Sequence, residues 1–341
     1  MKIIIDAFGG DNAPLEVLKG SAMAVEEYGV EVILAGDQEK IKQCAGENGV
    51  SMKNMEILHA SQVIPVEADP TALLKEYSES SMAVGLKALK EGKGDAFVSA
   101  GSTGALVVGS SLIVKRMKGV RRAGIATVIP SAGGNYLLMD AGANAECHAD
   151  MLVQFGVMGS VYMKQLMGIA NPRVGLVNIG TEETKGLDVQ RETYYLLQKA
   201  PVNFIGNVEA RGLPLGECDV AVADGFTGNI ILKLTEGLAK FLTGELKEML
   251  FQSTKTKLGA LLIKDSLAGF KKKLDYKEHG GAPLLGTAKP VFKAHGSSDA
   301  RAFKNAIRQA KTYVENNVVS EMETALAQLK TKEAEAAPKA E

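Results

Sequence analysis

Four glycine-rich stretches carry the residue types that hold an anion: DAFGGDNAP (6–14), SAGSTGAL (99–106), NIGTEETKG (178–186) and ADGFTGN (223–229). Each follows a short apolar run and precedes a helical pattern. Glycine lets backbone N–H groups approach a ligand closely. A helix N-terminus adds unpaired N–H groups and the positive end of a dipole. Taken singly, each stretch reads equally as a tight strand-to-helix turn. Taken together they supply so many donors that a site cradling phosphate is the better reading. The candidate phosphate and substrate ligands are Asp6, Gly9, Gly10 and Asp11 in the first stretch and Gly101, Ser102, Thr103 and Gly104 in the second. Thr181 and Thr184 belong to the third, and Asp224, Gly225, Thr227 and Gly228 to the fourth. His295, in AHGSSDARAF, joins them as a residue that orients a loop by hydrogen bonding.

Two residues stand out as candidate catalytic groups. Lys185 follows a strand and a Thr/Glu-rich turn, where an ammonium can meet an oxyanion or a phosphate; the plain alternative is a solvated surface lysine. Asn229 sits near the start of an amphipathic helix and reads either as its N-cap or as a donor to substrate. Other chemistries find little support. GxxxxGK[ST] is absent, and none of the four loops carries GxGxxG, so neither a P-loop nor an NAD Rossmann site is indicated. The four histidines, His59, His148, His279 and His295, have no metal-ligand spacing, and GxSxG does not occur. The pattern fits a reaction whose nucleophile is itself a substrate.

The elements that must position these loops are legible as short apolar runs. Ile3–Ile5, Val30–Ala35, Ala96–Ser99, Ile125–Ile129, Tyr136–Met139, Val174–Asn178 and Val220–Ala223 read as strands covered on both faces. They alternate with amphipathic helices, which predicts an α/β fold, an αβα sandwich around a mainly parallel sheet. A chain of 341 residues, 46% hydrophobic, suits one large domain over 1–329, with KTKEAEAAPKAE (330–341) as a frayed or disordered tail. A formal net charge of −1 gives no reason to expect nucleic acid as a partner. Cys44, Cys147 and Cys218 form no disulfide pattern and suit a reducing cytoplasm. No apolar run approaches the ~18 residues that span a bilayer.

Residues 228–276 depart from this rhythm and predict a projecting helical hairpin. Ile230, Leu234, Leu238, Phe241, Leu242, Leu246 and Met249 mark one face of a long helix. A second helical pattern begins at Leu258. The apolar tip Leu258, Leu261, Leu262 and Ile263 is flanked by Lys255, Lys257 and Lys264, and seven lysines face two aspartates between Ser253 and Lys277. The stripe suits a dimer. The tip reads either as a solvated basic end of that hairpin or as a segment dipping into an anionic membrane surface.

At the level of whole blocks the chain resembles the PlsX family, the bacterial phosphate acyltransferases of phospholipid synthesis. The blocks are IDAFGGDNAP (5–14), SAGSTGAL (99–106), DAGAN (140–144), NIGTEETKG (178–186), FIGNVEARGLPLGECDVAVADGFTGN (204–229), GGAPLLG (280–286) and AHGSSDARAFKNAI (294–307). The resemblance implies a fold like phosphate acetyltransferases and isocitrate-type dehydrogenases. It implies a homodimer with the active site at the subunit junction, held peripherally on the inner face of the cell membrane, with no metal or organic cofactor. It implies transfer of a fatty acyl group from acyl carrier protein to inorganic phosphate, the acyl phosphate then feeding a glycerol-3-phosphate acyltransferase. Lys185 and Asn229 match the family's active-site Lys and Asn. Ser102 stands where the family commonly has Asn, Glu76, Tyr77 and Glu79 where relatives are basic, and His279 where Tyr is frequent. Rival readings are a phosphate acetyl- or butyryltransferase using a CoA thioester, a non-enzymatic membrane-bound scaffold for lipid enzymes, and an NAD-dependent dehydrogenase of related fold.

Overall fold

The computed structural model of the chain describes residues 1–274 and 280–336. His279 therefore lies outside the described residues. The strands are β1 (Lys2–Asp6), β2 (Glu31–Gly36), β3 (Met55–His59), β4 (Ala96–Ser99), β5 (Gly124–Ser131), β6 (Gly134–Met139), β7 (Arg173–Asn178), β8 (Asn203–Glu209), β9 (Val220–Val222), β10 (Gly281–Leu285) and β11 (Val291–Ala294). They form one sheet in the order β3-β2-β1-β4-β11-β10-β5-β6-β9-β7-β8. The pairings of β10 with β11, β10 with β5 and β5 with β6 are antiparallel, and the other seven are parallel.

The apolar runs are strands because both of their faces are buried. Ile3 and Ile5 of β1 enter one core and Ile4 the other; Ala96 and Val98 of β4 face one way and Phe97 the opposite way. The first core lies under α1 (Leu15–Tyr28), α2 (Gln38–Glu47), α5 (Ala149–Met167), α6 (Asp188–Lys199), α10 (Ala300–Glu315) and α11 (Val318–Ala336). The second lies under α3 (Ser81–Lys90), α4 (Thr103–Gly109) and the first turns of α7 (Gly225–Phe251), through Ile231 and Leu232. The result is the expected αβα sandwich.

The antiparallel pairs decide the layout of the site. Strands β6, β9, β7 and β8 run against β1, β2, β3, β4 and β11, so the carboxyl ends of the two groups open on opposite edges of the sheet. Helix α7 is 27 residues long, about 40 Å at the usual rise. Beyond its first turns Leu234, Leu238, Phe241, Leu242 and Met249 are exposed. The second helical pattern is not one helix: Ser253 and Thr256 form a capping box that opens α8 (Thr254–Leu262), and α9 (Lys264–Leu274) follows. Ile263 separates them, with φ −105° and ψ 13°, outside the helical region. Helix α11 carries past Lys330 to Ala336, so the charged Ala-rich stretch begins as helix.

Candidate active site

At one edge, three adjacent parallel strands end in a polar row. Ser99 of β4 is in register with Lys293 of β11, and Asp6 of β1 follows the Ile5–Val98 pair. All three point to the face covered by α3 and α4. Ser99 Oγ donates to Asp6 Oδ2 at 2.6 Å, and Phe8 N–H donates to Oδ1 at 3.4 Å. Burial pushes the Asp6 carboxyl up, against the pull of the Ser81 and Ser99 hydroxyls. Lys293 Nζ donates to the carbonyl of Ala100 at 3.2 Å and to that of Ala294. Burial lowers its ammonium to about 8, with Asp6 and Asp11 opposing the shift.

The loops above this row are held together by their backbones. Asp11 N–H donates to Gly296 O at 2.9 Å, and Gly10 adopts φ +103° with Gly296 O and Ala100 packed where a side chain would stand. His295 Nδ1 shares a 2.9 Å hydrogen bond with Ser297 Oγ. Its ring stays below the usual value, mainly by burial; Glu236 opposes this, and Lys233 and Lys293 reinforce it. Ser102 is buried as the N-cap of α4 and accepts from Ala105 N–H at 3.5 Å, while Thr103 is exposed. This edge thus gathers Asp6, Gly9, Gly10, Asp11, Gly101, Ser102, Thr103, Gly104 and His295.

The other edge is organised by Asp140, which directly follows β6 and is fully buried. Its Oδ1 accepts from the N–H groups of Ile125 (3.0 Å), Gly142 (3.0 Å) and Ala143 (2.9 Å). Its Oδ2 accepts from Asn144 N and Nδ2, both at 2.8 Å. These bonds shape the 140–144 loop into a socket for the start of α7. Gly225 N–H donates to Asn144 O at 2.7 Å, and any Cβ at Gly228 would collide with the Asp140 carbonyl. Asp224 is the N-cap of α7: it accepts from Thr227 N–H at 2.8 Å and from Thr227 Oγ1 at 3.0 Å. Asn229 is therefore not the cap. It lies one turn into the helix, exposed, with its side chain beside Gly142.

Lys185 shares this edge, because β9 lies between β6 and β7. Its loop is braced by its own polar groups. Lys185 N–H donates to Glu182 O at 3.1 Å, Asn178 Nδ2 to Lys185 O at 3.1 Å, and Asn207 Nδ2 to Glu182 O at 2.8 Å. The Lys185 side chain is exposed, as are Thr181 and Thr184. The four loops thus fall into two pairs, and α7 runs between them: Asn229 stands at one edge, while Lys233 and Glu236 act on His295 at the other. Among the described residues no group of three or more His, Cys, Asp or Glu could hold a metal ion.

Four residues of this arrangement were not singled out from the sequence. Asp140 and Asn144 sit in the DAGAN block, where an Asp ending an apolar run is the available signal. Lys293 is a lone charge inside the apolar run Val291–Ala294, and Ser99 is the last residue of its strand.

A family model described as "Fatty acid synthesis protein" matches residues 1–321. Phosphate acyltransferase of Alkaliphilus oremlandii is 48% identical over 329 residues, covering 96% of this chain and 98% of that protein. Phosphate acyltransferase of Clostridium botulinum is 45% identical over 330 residues, again 96% and 98%. Among solved structures, a phosphotransacetylase from Streptococcus pyogenes aligns with TM-score 0.62 at 18% identity, over 92% of this chain and 94% of that one. The EutD phosphotransacetylase from Staphylococcus aureus aligns at 0.59 with the same identity and coverage. Both likenesses are of fold.

Proposed function

The chain belongs to the fatty acid synthesis protein family, and from that membership we propose that it moves a fatty acyl group from acyl carrier protein to inorganic phosphate. It is an enzyme of the phosphate acyltransferase type; near-full-length identity of 48% to a protein of that name carries the assignment. The carrier-protein thioester is the finer part of the reading.

The chemistry asks little of the protein beyond orientation and charge. Phosphate is largely dianionic near neutrality, its second pKa being roughly 6–7 by comparison with phosphomonoesters, and needs no strong base. One phosphate oxygen attacks the thioester carbonyl, its C–O bond forms, and the tetrahedral intermediate expels the carrier thiolate. The products are acyl phosphate and a thiol once the thiolate takes a proton from water. Lys185 offsets the charge of phosphate or of the oxyanion. Asn229, free of capping duty, donates its amide to the carbonyl oxygen or to phosphate. Backbone N–H groups of the glycine loops hold the anion.

Several surfaces support the assembly proposed with this activity. Ile179, Leu187 and Phe226 are exposed large apolar side chains in the segments that carry Lys185 and Asn229. Phe226 belongs to α7 itself, ahead of that helix's exposed stripe, and such a surface suits a homodimer with the acyl chain lying along its seam. Leu258, Leu261, Leu262 and Ile263 are exposed on α8 and its end. They suit peripheral attachment to the inner face of the cell membrane, near the glycerol-3-phosphate acyltransferase that would consume the labile product. No described helix is long and apolar enough to cross a membrane. The deciding assay supplies long-chain acyl carrier protein and phosphate to the pure protein and follows acyl phosphate. Equal turnover of short-chain CoA thioesters would favour an acetyl- or butyryltransferase. Failure of every thioester would refute the reading.

A further inference from the structure

The chain is nearly neutral overall, yet Lys115, Arg116, Lys118, Arg121 and Arg122 crowd into eight residues without an acid among them. All five are exposed. Arg121 pairs with Asp150 at 2.6 Å; among the described residues the other four have no ion-pair partner. Lys330 stands over Gly119 and adds a sixth cation.

This is a fixed array and not a flexible basic tail. Met117 and Val120 are buried between the cations and pin the loop. Met117 N–H donates to Gly286 O at 2.9 Å, and Lys115 O accepts from Ala288 N–H at 2.9 Å. Gln154 clamps the far end, accepting from Arg121 N–H at 2.9 Å and donating to Gly119 O at 3.0 Å. The array also abuts the candidate site. Ala123 O accepts from Asn144 Nδ2 at 2.8 Å, and Ile125 N–H is held by Asp140. The basic loop and the socket beside Asn229 therefore form one hydrogen-bonded unit.

We propose that the 115–122 loop is the docking surface for the acyl donor, a folded acidic protein that presents carboxylates to this array while its thioester arm reaches Asn229 and Lys185. This rests on the carrier-protein reading above. A rigid spacing of cations matches a rigid spacing of carboxylates and specifies one orientation. A lipid surface would need no such spacing, and residues 115–123 expose no large apolar side chain to insert. Charge complementarity of this kind raises association rates by roughly ten-fold or more and is weakened by salt.

The test compares the wild type with Lys118→Glu/Arg122→Glu on two donors, acyl carrier protein and the small thioester acyl-pantetheine, at increasing salt. Binding of unreacted holo-carrier protein is titrated alongside. With the carrier protein, kcat/KM should fall about ten-fold, through KM, and lose most of its salt dependence. Turnover of acyl-pantetheine should be unchanged, which also shows that the variant is folded. Equal loss on both donors would overturn the proposal, since the loop would then be structural. Unchanged carrier kinetics would overturn it too, and release from anionic vesicles with those kinetics intact would assign the loop to lipid. A wild type inert toward both donors would refute the activity reading, while the titration still decides docking: tight binding lost in the variant upholds it, and equal binding overturns it.

Discussion

Asn229→Ala separates the two roles open to an Asn near a helix start. If Asn229 capped α7, its loss would cost about 1 kcal/mol. The cap is Asp224, which already takes Thr227 N–H at 2.8 Å and Thr227 Oγ1 at 3.0 Å. Asn229 is exposed and lies inside the helix. There alanine is the better helix former, by up to roughly 0.7 kcal/mol. The melting temperature should therefore stay within about 2 °C of the wild type or rise slightly. Turnover should fall by about 10²–10³, the usual loss for one donor aimed at a developing oxyanion. Asp224→Ala should instead lose about 1–2 kcal/mol of stability through its two lost bonds. Scanning calorimetry with the acyl phosphate assay on both variants reads all four quantities. An Asn229→Ala enzyme with normal turnover, or one that melts several degrees early, would refute the reasoning.

Lys185→Ala should lower turnover by about 100-fold with an unchanged melting temperature, since the side chain is exposed; near-normal rates would remove its catalytic role. Asp140→Ala strands four backbone N–H groups, those of Ile125, Gly142, Ala143 and Asn144. The Ile125 N–H is buried and the other three are part-buried, so at about 1–3 kcal/mol for the buried donor and less for those water can reach, urea unfolding should register a loss of ~2 kcal/mol or more, and a loss below ~1 kcal/mol would contradict the account. Lys293 falls to about 8 in the folded protein from 10.5 when unfolded. Between those values the unfolded chain binds the extra proton, so this lysine's contribution to stability improves as pH rises through that window. Lys293→Met should lack that improvement, and parallel stability–pH profiles for the two proteins would refute it. Leu261→Glu/Leu262→Glu should release the protein from anionic vesicles while its gel-filtration elution matches the wild type, each buried leucine contributing at most ~1.5–3 kcal/mol; unchanged co-sedimentation would sink the membrane reading.

The sequence by itself determined the sandwich and the candidate chemistry. A run such as Ile3–Ile5 has no polar face, so it must be covered on both sides, and that requirement is local. The glycine loops that follow such runs were equally legible, because loop type follows from the residues of the loop. Strands β3, β8, β10 and β11 lie outside those runs; β3 is only half-buried at the sheet edge, so its residues carry no continuous apolar run. Tertiary structure alone decided how the loops group. Strand direction is set by long-range pairing: β10 pairs antiparallel with both β11 and β5, and β6 pairs antiparallel with β5, so three successive reversals turn the second half over. The loops at 6–14 and 99–106 thereby part from those at 178–186 and 223–229. It also decided which polar residues are structural. Asp140 looks like any loop aspartate until folding brings Ile125 and Asn144 to its oxygens. Lys293 acquires its shifted ammonium only because folding buries it at the end of β11, in register with Ser99, with Asp6 opposing the shift. Asn229 was released from capping by Asp224, five residues upstream, because the helix begins one turn earlier than its apolar stripe.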